Sequence, residues 1–402
     1  TTMPEVFFLL FVFLKPFYIL PSGSIGIADV SMAACVAVLF FQSVRKKEWL
    51  STLKQDWLLY LFLGLAVTIN GIYAIINKNY EFIRYSVFWI YNVAAIWSFR
   101  QLGQLYGQSF FKKLNAVVKL NIVIQFLLLL SGKGRIFYEY WGETRYMGTF
   151  NDPNQLAFFL FMMILLAYLY TCQYGDRAYI VFYALAIPVI LASKSTGILL
   201  GVIGFTGLAI VWKGYQIGEG FHFSRRTWIF LGVICGLVFG GFLIWVWPPE
   251  NFDIQQMDYN MITRIQEKIW KTVYGGGSGL LLDRGMDKLL YYPQYLLYGA
   301  GEGGFERFPL TSQINEIHSS LFSIWFCYGT VPTILLLVWL GQNLRKLRIC
   351  QWCAAIGLLI ESFLLVNYRQ PMFWMILLYA GICRDCEKAE RDYEARNICQ
   401  MK

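Results

Sequence analysis

Apolar residues run through this chain in long stretches separated by short polar turns. Leu156 to Tyr170, Ile229 to Trp247 and Ser319 to Leu340 contain no charged side chain. A helix needs about 20 apolar residues to cross the roughly 30 Å hydrocarbon core of a bilayer. Within that core every backbone polar group must be bonded internally, so only helices or closed barrels can span it. The runs are continuous rather than alternating, which predicts helices. The expected spans are 5–20, 25–43, 57–76, 82–99, 115–131, 154–171, 179–193, 196–212, 227–247, 318–341, 350–367 and 371–384. The fold expected is an all-α polytopic integral membrane protein of about a dozen transmembrane helices. It forms a single membrane domain over 1–402, with a cytoplasmic tail at 385–402.

Composition agrees: 57% of residues are hydrophobic and 15% charged, against roughly a quarter charged in a soluble domain. The formal charge of +9 is no sign of a nucleic-acid partner, because the cations sit in short loops between apolar runs. Arg45, Lys46, Lys47, Lys54, Arg100, Lys112, Lys113, Lys213, Arg225, Arg226, Arg345, Lys346 and Arg348 fall on one side if both termini are cytoplasmic. The first apolar run lacks a small-residue cleavage site and is read as a retained helix.

Three segments then face outward: 132–153, 193–196 and 248–317. The last is too long for a simple connector. It is expected to hold a helix at Gln255–Val273, the flexible Gly275–Gly279 and a second helix near Leu281–Tyr292. Trp247, Trp270, Tyr291, Tyr292, Tyr295 and Tyr298 suit a membrane interface. The segment is expected to form a lid on the outer leaflet, between the ninth and tenth spans.

Of the two histidines, His222 lies in a basic loop and is read as a solvated bystander. His318 lies at the outer end of a span, where an imidazole could exchange a proton at neutral pH or merely cap a helix. Arg135, Arg145, Arg264, Arg284, Arg307, Arg369 and Lys194 lie on the side that positive-inside statistics disfavour. Guanidinium groups grip phosphate in two-pronged fashion; the plainer alternative pairs Arg264 with Glu267, and Arg284 with Asp283 or Asp287. In Arg145–Gln155, Gly148 permits a tight backbone, Asn151 or Asp152 can cap a helix, and Pro153 can open it. The run Gly299-Ala300-Gly301-Glu302-Gly303-Gly304-Phe305 has no strand before it, which excludes a dinucleotide fold. It is read as a source of N–H donors for a phosphate.

Cys350-x-x-Cys353 and Cys383-x-x-Cys386 could make a four-cysteine zinc site, although cysteine is also comfortable in apolar surroundings. Lys15, Asp29, Lys119 and Glu361 are the charges expected at membrane depth.

Three stretches together resemble the superfamily of O-antigen ligases and Wzy-type O-antigen or capsule polymerases. The first is Arg145…Gly148-Thr149-Phe150…Pro153-Asn154. The second is Arg284 followed by Tyr298-Gly299-Ala300-Gly301-Glu302-Gly303-Gly304-Phe305. The third is His318-Ser319 with Gly329. The resemblance covers about 140–335; the first four helices agree only in topology. One departure is Ser193-Lys194-Ser195, where many members have Ser-Arg: the charge is kept and the fork is lost.

The resemblance implies a GT-C-like architecture and a metal-independent glycosyltransferase without a cofactor. It would act on the outer face of a bacterial plasma membrane, with an undecaprenyl-pyrophosphate-linked glycan as donor. His318 would be the base toward the acceptor hydroxyl, and Arg284 would stabilise the pyrophosphate leaving group. Arg145, Asn154, Lys194, Arg264, Gly301 and Arg369 would bind substrate. Membrane lipid and a polysaccharide chain-length regulator would be partners. Polymerisation of repeat units is favoured by Asn151-Asp152-Pro153-Asn154; ligation of the glycan to lipid A core is the alternative. A flippase or transporter is a different class, for which broken helices and repeats around a midplane site are the expected signs.

Overall fold

A computed structural model describes residues 2–18, 26–45, 54–139, 142–220, 233, 240–274, 279–311 and 316–400. The protein is mostly helical, with one short β-hairpin. Most of the expected span 227–247, together with His222 and 275–278, lies outside the described residues. Five helices are long and apolar enough to cross a membrane by length and composition. Four of them are α2 (Ile27–Arg45), α3 (Trp57–Asn77), α4 (Glu81–Ser131) and α5 (Pro153–Tyr174). The fifth is the stretch Thr196–Gln216 of α7 (Thr196–Gly220).

Other helices accompany them. These are α1 (Met3–Leu14) and α6 (Tyr179–Ala192), then α8 (Met261–Val273), which is amphipathic, and α9 (Ser320–Tyr328). They are followed by α10 (Thr330–Leu344), α11 (Ile349–Ser362) and α12 (Pro371–Gln400). The expected span 371–384 and the expected tail are thus one continuous helix. Its extension is held by ion pairs, Lys346–Asp385 at 2.9 Å and Arg348–Glu387 at 3.4 Å.

The two expected spans 82–99 and 115–131 are both arms of α4. Gly107 takes a non-helical backbone (φ 50°, ψ −135°) and reverses the chain. Phe99 and Phe111 then lie 6.0 Å apart, ring to ring; a straight helix would separate them by about 18 Å along its axis. α5 is apolar on every side and buried over 83% of its central window, as a helix surrounded by others should be. By contrast, α2, α3 and α7 leave large faces uncovered; Ile75, Ile76, Ile210 and Val211 are exposed, as suits contact with lipid tails. α7 crosses α11 where Gly201 and Gly357 bring the backbones together: a Cβ on either would come within 3.2 Å of the other's carbonyl. Small residues permit this close approach between apolar helices, where shape rather than hydrophobic transfer drives packing.

The expected span 318–341 is broken. Gly329 (φ 78°, ψ 179°) ends α9 and starts α10. A Cβ there would lie 2.5 Å from the Leu297 carbonyl and 2.7 Å from the Gly299 nitrogen. Gly329→Ala is therefore expected to cost about 1–3 kcal/mol for the backbone conformation alone, before the collision is relieved. Thermal unfolding of the purified protein in detergent measures this; an unchanged midpoint would refute the tight-crossing account.

All four charges expected at membrane depth have partners. Lys15 meets Asp29 at 3.3 Å, Asp29 accepts from Tyr91 at 2.7 Å, Lys119 meets Asp176, and Glu361 accepts from Asn367. Arg100, read from sequence as a loop cation, is instead 2% exposed and pairs with Asp56 at 2.8 Å. Trp339 also donates to Asp56, at 2.7 Å. Arg100 reports packing as much as topology.

Candidate functional site

The three segments expected to face outward converge. The hairpin β1 (Arg135–Tyr138) and β2 (Thr144–Gly148) pairs antiparallel and leads into α5. Gly148 sits at φ +59°, where a Cβ would lie 2.6 Å from Gln125 Oε1. Asp152 caps α5, accepting from the Asn154 and Gln155 N–H groups at 2.8 and 3.0 Å, with Pro153 in the first turn. Arg145, 7% exposed, reaches from β2 to three places. Its Nε donates to the Ser193 carbonyl at 2.9 Å, one terminal nitrogen donates to Asn154 Oδ1 at 2.9 Å, and the other lies 3.7 Å from Glu139. Ser195 also donates to Asn154 Oδ1.

Lys194, at φ +53°, donates to the carbonyls of Thr144 and Tyr259 at 2.9 and 2.7 Å. It sits 4.2 Å from the centre of the Tyr259 ring. Arg264, on α8, pairs with Glu139 at 3.3 Å rather than with Glu267, which pairs with Lys271. Arg145, Asn154, Lys194 and Arg264 are thus brought together, with Glu139 and Tyr259, which no motif or spacing singles out. Burial, and then the neighbouring arginines, pull Lys194 below its ordinary range despite Glu143. This cluster ties α8 to the hairpin. Arg145→Lys keeps the charge and loses the fork, at a cost of about 1.5–3 kcal/mol per charged hydrogen bond lost. Faster amide exchange across 254–273 is the expected sign; exchange matching wild type would show that Arg145 does not hold this segment.

Arg284 and His318 form a second group. The His318 N–H donates to the Arg284 carbonyl at 2.8 Å, and the Arg284 guanidinium donates to the Leu364 carbonyl. His318 lies just before α9. Burial lowers its pKa below the usual 6.5; Glu316 opposes this, while Arg284, Lys288 and Arg369 reinforce it. His318 opens on a cavity of about 300 Å³ lined also by Glu81, Tyr85, Phe305, Glu306, Glu316 and Arg369.

Arg369 links this cavity to a buried network. It binds Glu302 at 2.6 Å and also pairs with Glu316. Glu302 is fully buried and further accepts from Tyr368 at 2.6 Å, Trp89 at 3.3 Å and Tyr328. Sequence reasoning missed Glu302 as a functional centre; a carboxylate set among glycines between apolar runs was the available signal.

The glycine-rich run does not offer its N–H groups to a phosphate. Ala300 and Gly301 donate to the Phe326 and Cys327 carbonyls at 2.9 and 2.8 Å, which are orphan acceptors at the end of α9. Glu302 and Gly304 donate to Asn70 and Glu81, at 2.8 and 2.7 Å. Gly301 therefore acts by letting the chain pass Tyr73 and Phe82, where a Cβ would not fit. Arg307 donates to the Ala300 and Gly301 carbonyls and stacks on Tyr73, Phe82 and Phe308.

The expected single lid helix at Gln255–Val273 is a 3₁₀ turn (Ile254–Gln256) followed by α8. The second expected helix, near Leu281–Tyr292, is two short turns, Gly279–Asp283 and Lys288–Tyr291, and a third turn follows it at Tyr295–Tyr298. Trp247, Tyr291 and Tyr298 are exposed, whereas Tyr292 and Tyr295 pack on Phe308. The four cysteines face different neighbours: Cys350 lies beside the free Cys172, Cys353 donates to the Ile349 carbonyl, Cys383 accepts from Tyr174, and Cys386 donates to the Gly103 carbonyl. Among the described residues no three His, Cys, Asp or Glu side chains are grouped to hold a metal.

Neither the known protein-family models nor the curated proteins compared with this chain give a match.

Proposed function

We propose that the protein is a membrane glycosyltransferase that takes its sugar from a lipid-pyrophosphate carrier and joins repeat units into a polysaccharide. The observation that carries this reading is the backbone bond between His318 and Arg284. It sets a depressed-pKa imidazole between a guanidinium and a polar cavity. A neutral imidazole can take the proton of an acceptor hydroxyl. An arginine beside it can stabilise the charge that grows on a departing pyrophosphate. The glycosyl bond to the carrier breaks as the bond to the acceptor oxygen forms, and the proton goes to His318. Arg369 lines the acceptor side, and the Arg145–Lys194–Arg264 cluster anchors the lid.

About a dozen spans, both termini in the cytoplasm and a site on the outer face of a bacterial plasma membrane belong to this proposal. So does the resemblance to the O-antigen ligase and polymerase superfamily. The helix broken at Gly329 gives one observation to the transporter reading. The His318 cavity is lined in part by 248–317, a segment expected to face outward, which supports the enzyme.

The test uses purified protein with undecaprenyl-pyrophosphate-linked oligosaccharide from its own host, with EDTA present, and reads products on a gel. A ladder of repeat units supports the polymerase. Single transfer that needs lipid A core makes the protein a ligase. No transfer, with lipid still bound, overturns the enzyme reading. Arg284→Ala is expected to slow transfer about 10²–10³-fold.

A further inference from the structure

His318 lies between Arg284 and Lys288, each beside an aspartate, and a cavity lined mainly by carboxylates. Arg284 and Lys288 act on it electrostatically, yet neither lines the cavity. The cavity itself presents three carboxylates, Glu81, Glu306 and Glu316, against one guanidinium, Arg369. That guanidinium is shared with the buried Glu302. Two aromatic rings, Tyr85 and Phe305, complete the wall. Carboxylates accept hydrogen bonds from hydroxyl and ammonium groups and donate none when ionised. Aromatic faces cover the C–H side of a pyranose ring, and the volume falls at the lower end of small-molecule pockets, about 300–1,000 Å³.

The wall is also held in place. Gly303 and Gly304 have positive φ and pack against Glu81 and Phe82. The Gly304 N–H donates to Glu81 Oε2 at 2.7 Å, so the turn that carries Phe305 and Glu306 is fixed to the start of α4. Arg84 pairs with Glu81 from outside, at 2.9 Å. The cavity is therefore an open, acidic recess that borders the imidazole, edged by the mostly buried rings of Tyr85 and Phe305. It has the wrong charge for a pyrophosphate and the right chemistry for a saccharide.

We propose that this cavity is the acceptor subsite, that it takes a neutral or amino sugar, and that it rejects a uronic acid. The assignment rests on the transferase reading for the word acceptor, and on the cavity alone for the class of ligand. Like charges brought together at a desolvated contact oppose binding and so set specificity.

The test is saturation-transfer NMR on the whole protein in nanodiscs of neutral lipid, with lactose, chitosan disaccharide and cellobiouronic acid as probes. The first two are expected to bind at least about tenfold more tightly than the acid. Glu306→Gln, at an exposed position, should improve binding of the acid up to about fivefold. Phe305→Leu keeps apolar bulk, removes the aromatic face and should weaken all three probes. Equal binding of the acid, binding of none of the probes, or indifference to both Glu306→Gln and Phe305→Leu would each overturn the assignment. The two proposals fail separately. Sugar binding without any transfer in the gel assay leaves the cavity standing and removes the transferase. Transfer without sugar binding here does the reverse.

Discussion

His318→Ala is expected to run the transfer reaction about 10²–10⁴-fold slower than wild type, the usual range for a positioned general base. The protein should remain folded, because the bond that locates this residue comes from its backbone N–H and survives the substitution. The pH profile separates a base from a merely structural histidine. A base works in its neutral form, and burial places the His318 pKa below 6.5. Wild-type activity should therefore be at its plateau at neutral pH and decline only on the acid side of 6.5, as the ring takes up a proton. The residual rate of His318→Ala should lack that acid limb. If the limb persists in the variant, another group is the base; if the variant keeps the wild-type rate, the mechanism fails.

Glu302→Ala is expected to be strongly destabilising. Glu302 is fully buried and holds Arg369, Tyr368, Trp89 and Tyr328 at once. Removing one partner of a buried ion pair costs about 3–5 kcal/mol, because the other charge is left uncompensated. Glu316 compensates Arg369 only from the cavity side. The measure is the fraction of protein that stays monodisperse after heating in detergent. A double substitution, Glu302→Ala with Arg369→Met, should recover part of the loss, since it leaves no orphan charge. A single variant as stable as wild type would mean that the network contributes little. That result would also loosen the argument that it fixes the cavity wall.

Much of the architecture is legible in the sequence, because continuous apolar runs have few structural solutions. α2, α3 and α5 stand near their expected bounds, and both arms of α4 were anticipated. The turn at Gly107 was not: a glycine between two long polar-flanked runs gives no sign of its backbone angles. Gly329 stood out only through family resemblance, and nothing local says that the helix breaks there. Its meaning depends on Leu297 and Gly299, which come from a distant segment.

The same holds for the site. Arg145, Asn154, Lys194 and Arg264 were picked one by one as cations or polar groups in unusual places. That they meet each other, and that Glu139 rather than Glu267 answers Arg264, is a tertiary fact with no sequence periodicity behind it. The error at Gly299–Gly304 is instructive in the same way. Glycine-rich backbone suggests free N–H donors, yet donors are free only if no nearby carbonyl needs them, and the end of α9 supplies two.

That arrangement has a consequence for the order in which the chain enters the bilayer. α9 has nine residues, about 13 Å of helix, less than half of a hydrocarbon core. Its last carbonyls belong to buried residues, Phe326 and Cys327 among them, and buried backbone left unpaired costs several kcal/mol per group. α9 therefore cannot settle alone. It gains its final place only when the glycine-rich turn arrives with its own N–H groups, and α10 continues from that joint. Assembly of the C-terminal helices is thus coupled to folding of the segment before them.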